Sequence, residues 1–376
     1  MEATVCELNK CTGCAACLEL CSRQAITIRD SLKNLNAIID LDKCVHCNAC
    51  HKICQNNTVV EAQRPKWWYQ GWTKDIEQRL NSSSGGVASA LAKYFVSSGG
   101  VVCSCLFRNG EFVYDFAESI EEVVKYTGSK YVKSNPTGVY KKTKQYLLEG
   151  KKVLFIGLPC HAAALKQFVG ERLASTGLYL VDLICHGSPS PKNIEMFLGG
   201  KGIIIKNVKQ IAFRKKNMYR VIQNDQFVDT PGVYDCYSLA FLNGINYTDN
   251  CYSCNYAKID RVTDITIGDS WGSDLPAKEV NAGISLMLCQ TEKGRALLYN
   301  AGVELIKVDL QNAISHNHHL EYPYSKPRTY DLFFETLLKT KNYEKAVKIS
   351  LSRTYRNQQI KRILIKSKIL SETNYK

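Results

Sequence analysis

Eight of the seventeen cysteines in this 376-residue chain form two runs with the same spacing. Each run reads C-x2-C-x2-C-x3-C, and the second follows the first after 33 residues. Such runs are typical of two-cluster [4Fe-4S] modules, in which three thiolates of one run bind one cubane and the other run supplies the fourth ligand. The spacing predicts one cluster on Cys11, Cys14, Cys17 and Cys54, and a second on Cys44, Cys47, Cys50 and Cys21.

A pair of zinc knuckles is the alternative interpretation of these runs. Zinc usually takes two paired C-x2-C or C/H units, so two intact four-cysteine runs favour clusters. The proline that commonly follows the last cysteine is replaced by Ser22 and Gln55, which removes no ligand. Cys6 precedes the first run by five residues and is expected to be a buried thiol.

Four further cysteines follow a β-α-β pattern. The apolar segment KVLFIG precedes Cys160, LYLVDLI precedes Cys185, and a helical segment joins them. Parallel neighbouring strands place such residues at one edge of a sheet, where ligands bind. Cys251 and Cys254 form a close pair further on. A third [4Fe-4S] cluster, a zinc site and unrelated thiols are all compatible with this spacing.

A phosphate site is one interpretation of the serine- and glycine-rich segment at residues 81–86. It precedes the helical segment VASALAKYFV, and small residues at a helix N-terminus leave backbone amides open to an anion. An ordinary capped helix is the other interpretation. The Asn109-Gly110 pair downstream predicts a β-hairpin.

The chain is strongly basic, with 49 Lys and Arg against 35 Asp and Glu. An excess of this size suggests an acidic partner: nucleic acid, a phosphorylated ligand, an anionic membrane or an acidic protein. Residues 330–376 hold eleven Lys and Arg against four Asp and Glu, and predict a basic amphipathic helix or a mobile tail. Nucleic-acid binding lacks a recognised motif and is not expected.

The chain is expected to be cytoplasmic, because it has neither a secretory segment nor an apolar run of about 18 residues.

Other polar residues remain open to more than one role. Asp269 follows an apolar segment and suits a loop cap or a ligand contact. The histidines at 316, 318 and 319 are expected at the surface or in a substrate pocket. The basic residues are expected on a solvated face, with contact to an acidic substrate as the alternative; they are Arg214, Lys215, Lys216 and Arg220.

Several segments in a fixed order resemble the coenzyme F420 hydrogenase/dehydrogenase β-subunit family. They are SSSGGVASALAKYF, TGSKYVKS, GKKVLFIGLPCHAAALK, LYLVDLICHGSPSP, IAFRKK, CYSCNYAKIDRVTDITIGDSWG and GISLMLCQTEKG, and with the cysteine runs they cover about residues 1–330. The resemblance implies an iron–sulfur flavoprotein oxidoreductase that binds FAD. Ser83, Ser84, Gly85 and Gly86 would hold the pyrophosphate, and Gly128, Ser129, Lys130 and Tyr131 would form a second wall. The resemblance also favours the third cluster, beside the flavin.

The resulting expectation is a small two-cluster ferredoxin module joined to a larger mixed α/β body with a partly parallel sheet. The expected divisions are a ferredoxin domain (1–60), a tryptophan-rich connector (61–80), the two parts of the body (81–170 and 171–330) and a basic helical tail (331–376). A redox partner protein or a small electron carrier, such as coenzyme F420 or another acidic substrate, is the expected partner. An electron-transfer subunit without its own substrate site is the alternative function, and the basic tail adds possible peripheral membrane contact.

Overall fold

Residues 3–370, which the computed structural model describes, form helices α1–α16 and strands β1–β13. The helices are α1 (Ala16–Leu20), α2 (Ala49–Ile53), α3 (Ile76–Asn81), α4 (Val87–Ser97), α5 (Ile120–Val123), α6 (Val139–Leu148), α7 (Pro159–Val169), α8 (Glu171–Gly177), α9 (Pro191–Gly199), α10 (Cys236–Leu242), α11 (Ala277–Ala282), α12 (Glu292–Asn300), α13 (Leu310–Ser315), α14 (Tyr330–Thr340), α15 (Tyr343–Ser350) and α16 (Ser352–Lys366). The strands are β1 (Ile26–Asp30), β2 (Leu35–Ile39), β3 (Trp67–Thr73), β4 (Val101–Arg108), β5 (Glu111–Ala117), β6 (Val153–Gly157), β7 (Leu178–Leu183), β8 (Ile211–Lys215), β9 (Met218–Gln223), β10 (Gln226–Phe227), β11 (Ile265–Asp269), β12 (Ser285–Cys289) and β13 (Val303–Lys307). Among the described residues, no helix has the length and apolar character needed to span a membrane.

The N-terminal module repeats one loop and one short helix. Helices α1 and α2 begin at equivalent positions of the 33-residue repeat, and each has five residues. The residue before each helix, Ala15 or Asn48, has φ 60° and ψ 7°, in the left-handed region. Strands β1 and β2 pair antiparallel beside them. The sequence repeat is therefore also a repeat of backbone conformation.

The body is built on an eight-stranded mixed sheet with the order β13-β3-β12-β11-β7-β6-β4-β5. Strands β4, β6, β7 and β11 are parallel to their neighbours within that group. On β6, Leu154 and Ile156 pack with residues of α4 and α12, whereas Val153 and Phe155 pack with residues of α6 and α7. A strand covered on both faces needs apolar residues at successive positions. The expected mixed α/β body with a partly parallel sheet is confirmed.

The segment at residues 61–80 is more than the expected connector, because it contains β3. This strand lies between β12 and β13 and pairs antiparallel with both. Trp67 contacts the body, since the Arg295 guanidinium lies 4.7 Å from its ring. Trp72 packs within the segment, with the Arg79 guanidinium 3.8 Å from its ring. A buried glutamine, Gln70, hydrogen-bonds Asp274 and interrupts the apolar pattern by which strands are recognised in a sequence.

The expected basic tail at residues 331–376 is wrong for α14 and α15. Their side chains Phe333, Phe334, Leu337 and Tyr343 are at most 2% exposed and belong to the largest apolar cluster of the body. The basic α16 follows them and carries exposed isoleucines. Burial of large aromatic side chains outweighs the net charge of the segment, since each contributes about 1.5–3 kcal/mol. Residues 371–376 lie outside the described part of the tail.

The module is fixed to the body by a carboxylate at a helix N-terminus. Glu19 of α1 accepts hydrogen bonds from the backbone amides of Gly138 (2.7 Å), Tyr140 (3.4 Å) and Lys141 (2.9 Å). These amides open α6 and have no carbonyl partner within the helix, and an anion there is further favoured by the helix dipole. Glu19 therefore caps a helix of the other unit.

Replacing Glu19 with Gln is expected to lower the free energy of unfolding by about 1–2 kcal/mol, since the charge facing three amides is lost. Anaerobic urea unfolding of the cluster-loaded protein, followed at the cluster absorbance, measures this. The exposed Glu61 supplies a matched control in Glu61→Gln. Equal stability of the two variants would contradict the proposed anchoring role.

Candidate cofactor sites

The first predicted cluster set lies around one cavity of the module. Cys11, Cys14, Cys17 and Cys54 all line it, and all four are buried. Three of these residues belong to the first run, and the fourth is the last cysteine of the second run. The arrangement matches the ligand exchange expected of a two-cluster module, in which each cubane takes one ligand from the other run.

Cys6 lines the same cavity and packs against two of the predicted ligands. Hydrogen bonding with Cys6 is the main cause that lowers the pKa of Cys11 to about 6 and that of Cys54 to about 7. The Asn56 amide donates to the Cys6 sulfur at 3.8 Å. The expected buried thiol is thus present, and it lies within reach of two thiolates.

The second predicted set is more open to solvent. Cys21, Cys44 and Cys50 are half-buried, and Cys47 is exposed. The pKa of Cys50 is raised by burial and by the neighbouring Cys44 and Cys47. The two sets therefore differ in environment: the first faces the body, and the second lies at the outer surface of the module.

The four body cysteines line one cavity at the edge of the large sheet. Its volume is about 280 Å³. Cys160 lies in the first turn of α7 directly after β6, Cys185 follows β7, and the 3-10 turn at Asp249–Ser253 brings the other two over this edge. The cavity is lined by Cys160, Cys185, Cys251 and Cys254. We call it the edge cavity.

The lining of the edge cavity does not form a compact site for a single zinc ion. Among residues 3–370, no three His, Cys, Asp or Glu side chains are grouped closely enough to hold one metal ion. A cubane needs wider spacing because each thiolate binds a different iron atom. Burial raises the pKa of Cys185 to about 12, with Cys251 and Cys254 adding to the shift. Four mutually repelling thiolates in this cavity require compensating positive charge.

The two segments predicted to bind a flavin lie side by side. The Ser129 amide donates to Ser83 Oγ at 3.1 Å. Gly86 has φ 80° and begins α4 without a side-chain cap, which suits an anion at the open amides. By contrast, the Lys130 ammonium donates to the carbonyls of Tyr126 and Thr127. Lys130 is therefore tied to its own loop.

The remaining members of these segments pack within the body. Ser84 Oγ donates to the Ile284 carbonyl at 2.8 Å, and the Gly85 amide donates to Ser285 Oγ at 3.1 Å. The Tyr131 ring lies 4.3 Å from the Phe241 ring, centroid to centroid. Gly128 has φ 88° and open space at its Cβ position. Of the eight predicted flavin residues, Ser83, Gly86 and Ser129 are thus the best placed for a ligand.

The expected solvated basic face is wrong for Arg214 and Arg220, which are buried, whereas Lys215 is exposed. Arg214 forms a two-point ion pair with Asp269, with N–O distances of 2.6 and 3.0 Å. Lys216 donates to the Arg79, Ser84 and Ala282 carbonyls, so it borders the serine segment. Its pKa falls to about 8 through burial and the nearby Arg79 and Arg214. An anion bound here would relieve that repulsion.

A group of stacked rings borders the edge cavity. His319 is buried and stacks on His186, with centroids 4.2 Å apart, while the His318 ring is tilted by 40° against it at 3.9 Å. His186 and His319 both line the edge cavity. The pKa of His186 falls to about 4 through burial and His318, while Asp269 opposes this and Arg214 adds to it. His186 therefore lines the edge cavity directly after Cys185, within electrostatic range of the Arg214–Asp269 pair.

The fold has two cavities lined by cysteines and a partly parallel sheet. These features are those of an iron–sulfur, electron-transfer protein. Models of the coenzyme F420 hydrogenase/dehydrogenase β subunit match residues 68–140 (N-terminal part) and 150–313 (C-terminal part), and a 4Fe-4S dicluster domain matches residues 10–58. The chain belongs to the coenzyme F420 hydrogenase/dehydrogenase β-subunit family and carries an N-terminal 4Fe-4S dicluster domain.

Among solved structures, one similar chain comes from the F420-reducing [NiFe] hydrogenase complex of Methanosarcina barkeri, determined in a xenon derivative. It is 18% identical to this chain, with a TM-score of 0.44, and the match covers 68% of this chain and 91% of that one. No curated protein sequence matches.

Proposed function

We propose that this protein is an FAD- and [4Fe-4S]-dependent oxidoreductase that moves electrons between a hydride-type donor or an organic substrate and the clusters of its N-terminal module. The main support is the edge cavity, whose lining joins four body cysteines to Thr12 and Asn56 of the module. Thr12 follows Cys11 and Asn56 follows Cys54 by two residues, so the cavity borders the first cluster set.

A hydrogen-bonded chain of three side chains joins the two cysteine groups. The Tyr256 hydroxyl donates to the Gln55 amide oxygen, and the Gln55 nitrogen donates to Thr12 Oγ1 at 3.1 Å. Gln55 and Tyr256 are buried, and Tyr256 lines the edge cavity. These contacts exclude water and hold the module against the body, which keeps the two proposed clusters at a fixed separation.

FAD, when bound, would take two electrons as a hydride and release them one at a time to a cluster. On the protein side, the amides that open α4 and the hydroxyl of Ser83 would bind the pyrophosphate, with Lys216 supplying positive charge. Arg214 and Asp269 form an ion pair near the His186 ring. We propose that the hydride donor or organic substrate, with coenzyme F420 as one candidate, binds on this side of the edge cavity.

FAD affinity is expected to fall as the pH rises above about 8. In the flavin-free protein the pKa of Lys216 is about 8, and a bound pyrophosphate raises it by stabilising the ammonium. The favourable contribution is therefore complete below pH 8 and is lost as the pH rises through the higher pKa of the complex. Flavin fluorescence titrations at pH 7 and pH 9 measure the change.

Lys216→Met is expected to weaken FAD binding at pH 7 by about tenfold, or about 1.4 kcal/mol, and to flatten the pH dependence. The loss is that of a nearby positive charge, because the three N–H groups of Lys216 already donate to backbone carbonyls. Lys215→Met is the matched control, since Lys215 is the exposed neighbour. A protein that binds no FAD at either pH, or two variants with the same affinity and pH profile, would refute this assignment.

An electron-transfer subunit that feeds a partner enzyme is the second proposal. The exposed Cys47 supports it, because the second cluster would then lie near the surface, where a redox partner protein could dock.

The basic α16, with exposed Ile360 and Ile363, could add contact with a partner or an anionic membrane. Such a surface thiolate site requires reducing conditions, so we propose a cytoplasmic location. Steady turnover of a small molecule by the isolated protein would favour the enzyme over the subunit.

A further inference from the structure

A lysine ammonium is buried between the two cysteine groups. Lys133 is 3% exposed, and its Nζ donates to Thr248 Oγ1 at 2.7 Å and to Asn250 Oδ1 at 3.1 Å. Both acceptors are neutral, and within residues 3–370 no carboxylate pairs with this ammonium. A buried cation whose partners are all neutral is costly unless negative charge lies nearby.

The position of Lys133 brings it close to both cavities. Its Cδ would lie 3.4 Å from a Cβ placed on Gly13, which stands between Cys11 and Cys14 in the first cluster loop. Lys133 is also among the residues that line the edge cavity. Thr248 Oγ1, which accepts from Lys133, lies 3.5 Å from the Cys251 sulfur. One side chain therefore touches the first cluster loop and, through a single hydroxyl, an edge-cavity cysteine.

We propose that Lys133 is the counter-ion shared by the first ferredoxin cluster and a cluster in the edge cavity, and that it sets their reduction potentials relative to the outer cluster. This role rests on the proposed function, since it requires a cluster in the edge cavity. A [4Fe-4S]²⁺ core with four thiolates carries a charge of −2, and a one-electron reduction makes it −3. A fixed positive charge stabilises the reduced form more and therefore raises the potential.

Lys133 acts through its charge on the reduction potentials of the clusters. It favours the reduced form at the two sites that border the body. Its effect on the outer set (Cys21, Cys44, Cys47 and Cys50) is smaller because that set is more exposed to solvent, which screens the charge. The charge would hold an arriving electron at the junction of module and body before the electron moves outward. Removing the charge of Lys133 should therefore change the reduction potentials of the two inner clusters and not that of the outer one.

Anaerobic redox titration of the cluster-loaded protein, followed by electron paramagnetic resonance, tests this role. Lys133→Met and Lys133→Gln are expected to lower the potentials of the two inner clusters and to leave the outer one nearly unchanged, whereas Lys133→Arg should retain the wild-type values. Lys133→Gln keeps a hydrogen-bonding group for Thr248 in case the Met variant folds poorly. Lys192→Met is the control, because Lys192 donates to the Asp30 carbonyl at the module–body boundary without lining the edge cavity.

The result that overturns the counter-ion role is an unchanged set of potentials in Lys133→Gln, or an equal shift of all three clusters. The iron content distinguishes a failure of the counter-ion role from a failure of the proposed function. A wild-type protein with about twelve iron atoms and unaltered potentials in the variants would refute the counter-ion role alone. A wild-type protein with about eight would refute the edge cluster, and the shared role with it.

Discussion

Replacing Cys14 with Ala is expected to abolish the first cluster and to release the N-terminal module from the body. Cys14 is buried in the first cavity, and its backbone carbonyl accepts a hydrogen bond from the Tyr140 hydroxyl of α6. The module has only a small apolar core, so cluster binding supplies much of its folding free energy. We expect the loss to exceed the stability of the module, so that the segment becomes accessible to protease while the body remains folded.

Limited proteolysis under anaerobic conditions measures this, together with iron and sulfide analysis. Cys6→Ala is the matched control, since Cys6 lines the same cavity but lies outside the two runs. The control should keep its full iron content and lose only about 1 kcal/mol, the cost of a small cavity. Equal protease resistance of Cys14→Ala and wild type would contradict the view that the cluster holds the module together.

Cys251→Ser is expected to have the second large effect, on electron exchange between body and module. Cys251 lies in the turn that covers the sheet edge, and its loss removes one of four ligands from the edge cavity. Flavin should stay bound and reducible, because the serine segment at Ser83 and the amides of α4 are unchanged. Reoxidation of reduced flavin by the module clusters should slow by two or more orders of magnitude, since the intermediate site is lost.

Rapid-mixing spectroscopy follows flavin and cluster absorbance separately. Cys105→Ser is the control: Cys105 is half-buried on β4, and its sulfur lies 2.8 Å from Ser134 Oγ, a contact that a hydroxyl can retain. A wild-type rate in Cys251→Ser would leave the four cysteines as separate structural thiols and would break the proposed route.

The sequence was sufficient to predict features that depend on local spacing. The two cysteine runs repeat at 33 residues, and Ala15 and Asn48 adopt the same backbone conformation, so the repeat could be read directly. The apolar segments of β6 and β7 with a helix between them predict parallel neighbours, and the register pairs Val153 with Leu178. From that pairing alone, Cys160 and Cys185 could be placed at one edge.

Features that depend on distant contacts were not predictable in this way. Strand β3 resembles a connector in the sequence because the polar Gln70 interrupts its apolar pattern. Gln70 can be buried only because it hydrogen-bonds Asp274, more than 200 residues away in sequence. Gly71 faces β13 so closely that a Cβ there would lie 1.8 Å from the Glu304 carbonyl oxygen, a constraint set by the partner strand. Helices α14 and α15 belong to a segment, residues 330–376, that holds eleven Lys and Arg against four Asp and Glu, yet their aromatic side chains are buried. Lys133 likewise gains its position from the loops that carry Thr248 and Asn250.

Iron-edge anomalous diffraction from crystals of anaerobically purified protein tests the central claim most directly. The expected map shows three groups of iron atoms: one among Cys11, Cys14, Cys17 and Cys54, one among Cys21, Cys44, Cys47 and Cys50, and one inside the edge cavity beside Lys133. Iron in the module alone, with the sulfurs of Cys160, Cys185, Cys251 and Cys254 bound to nothing or to a single zinc ion, would contradict the account.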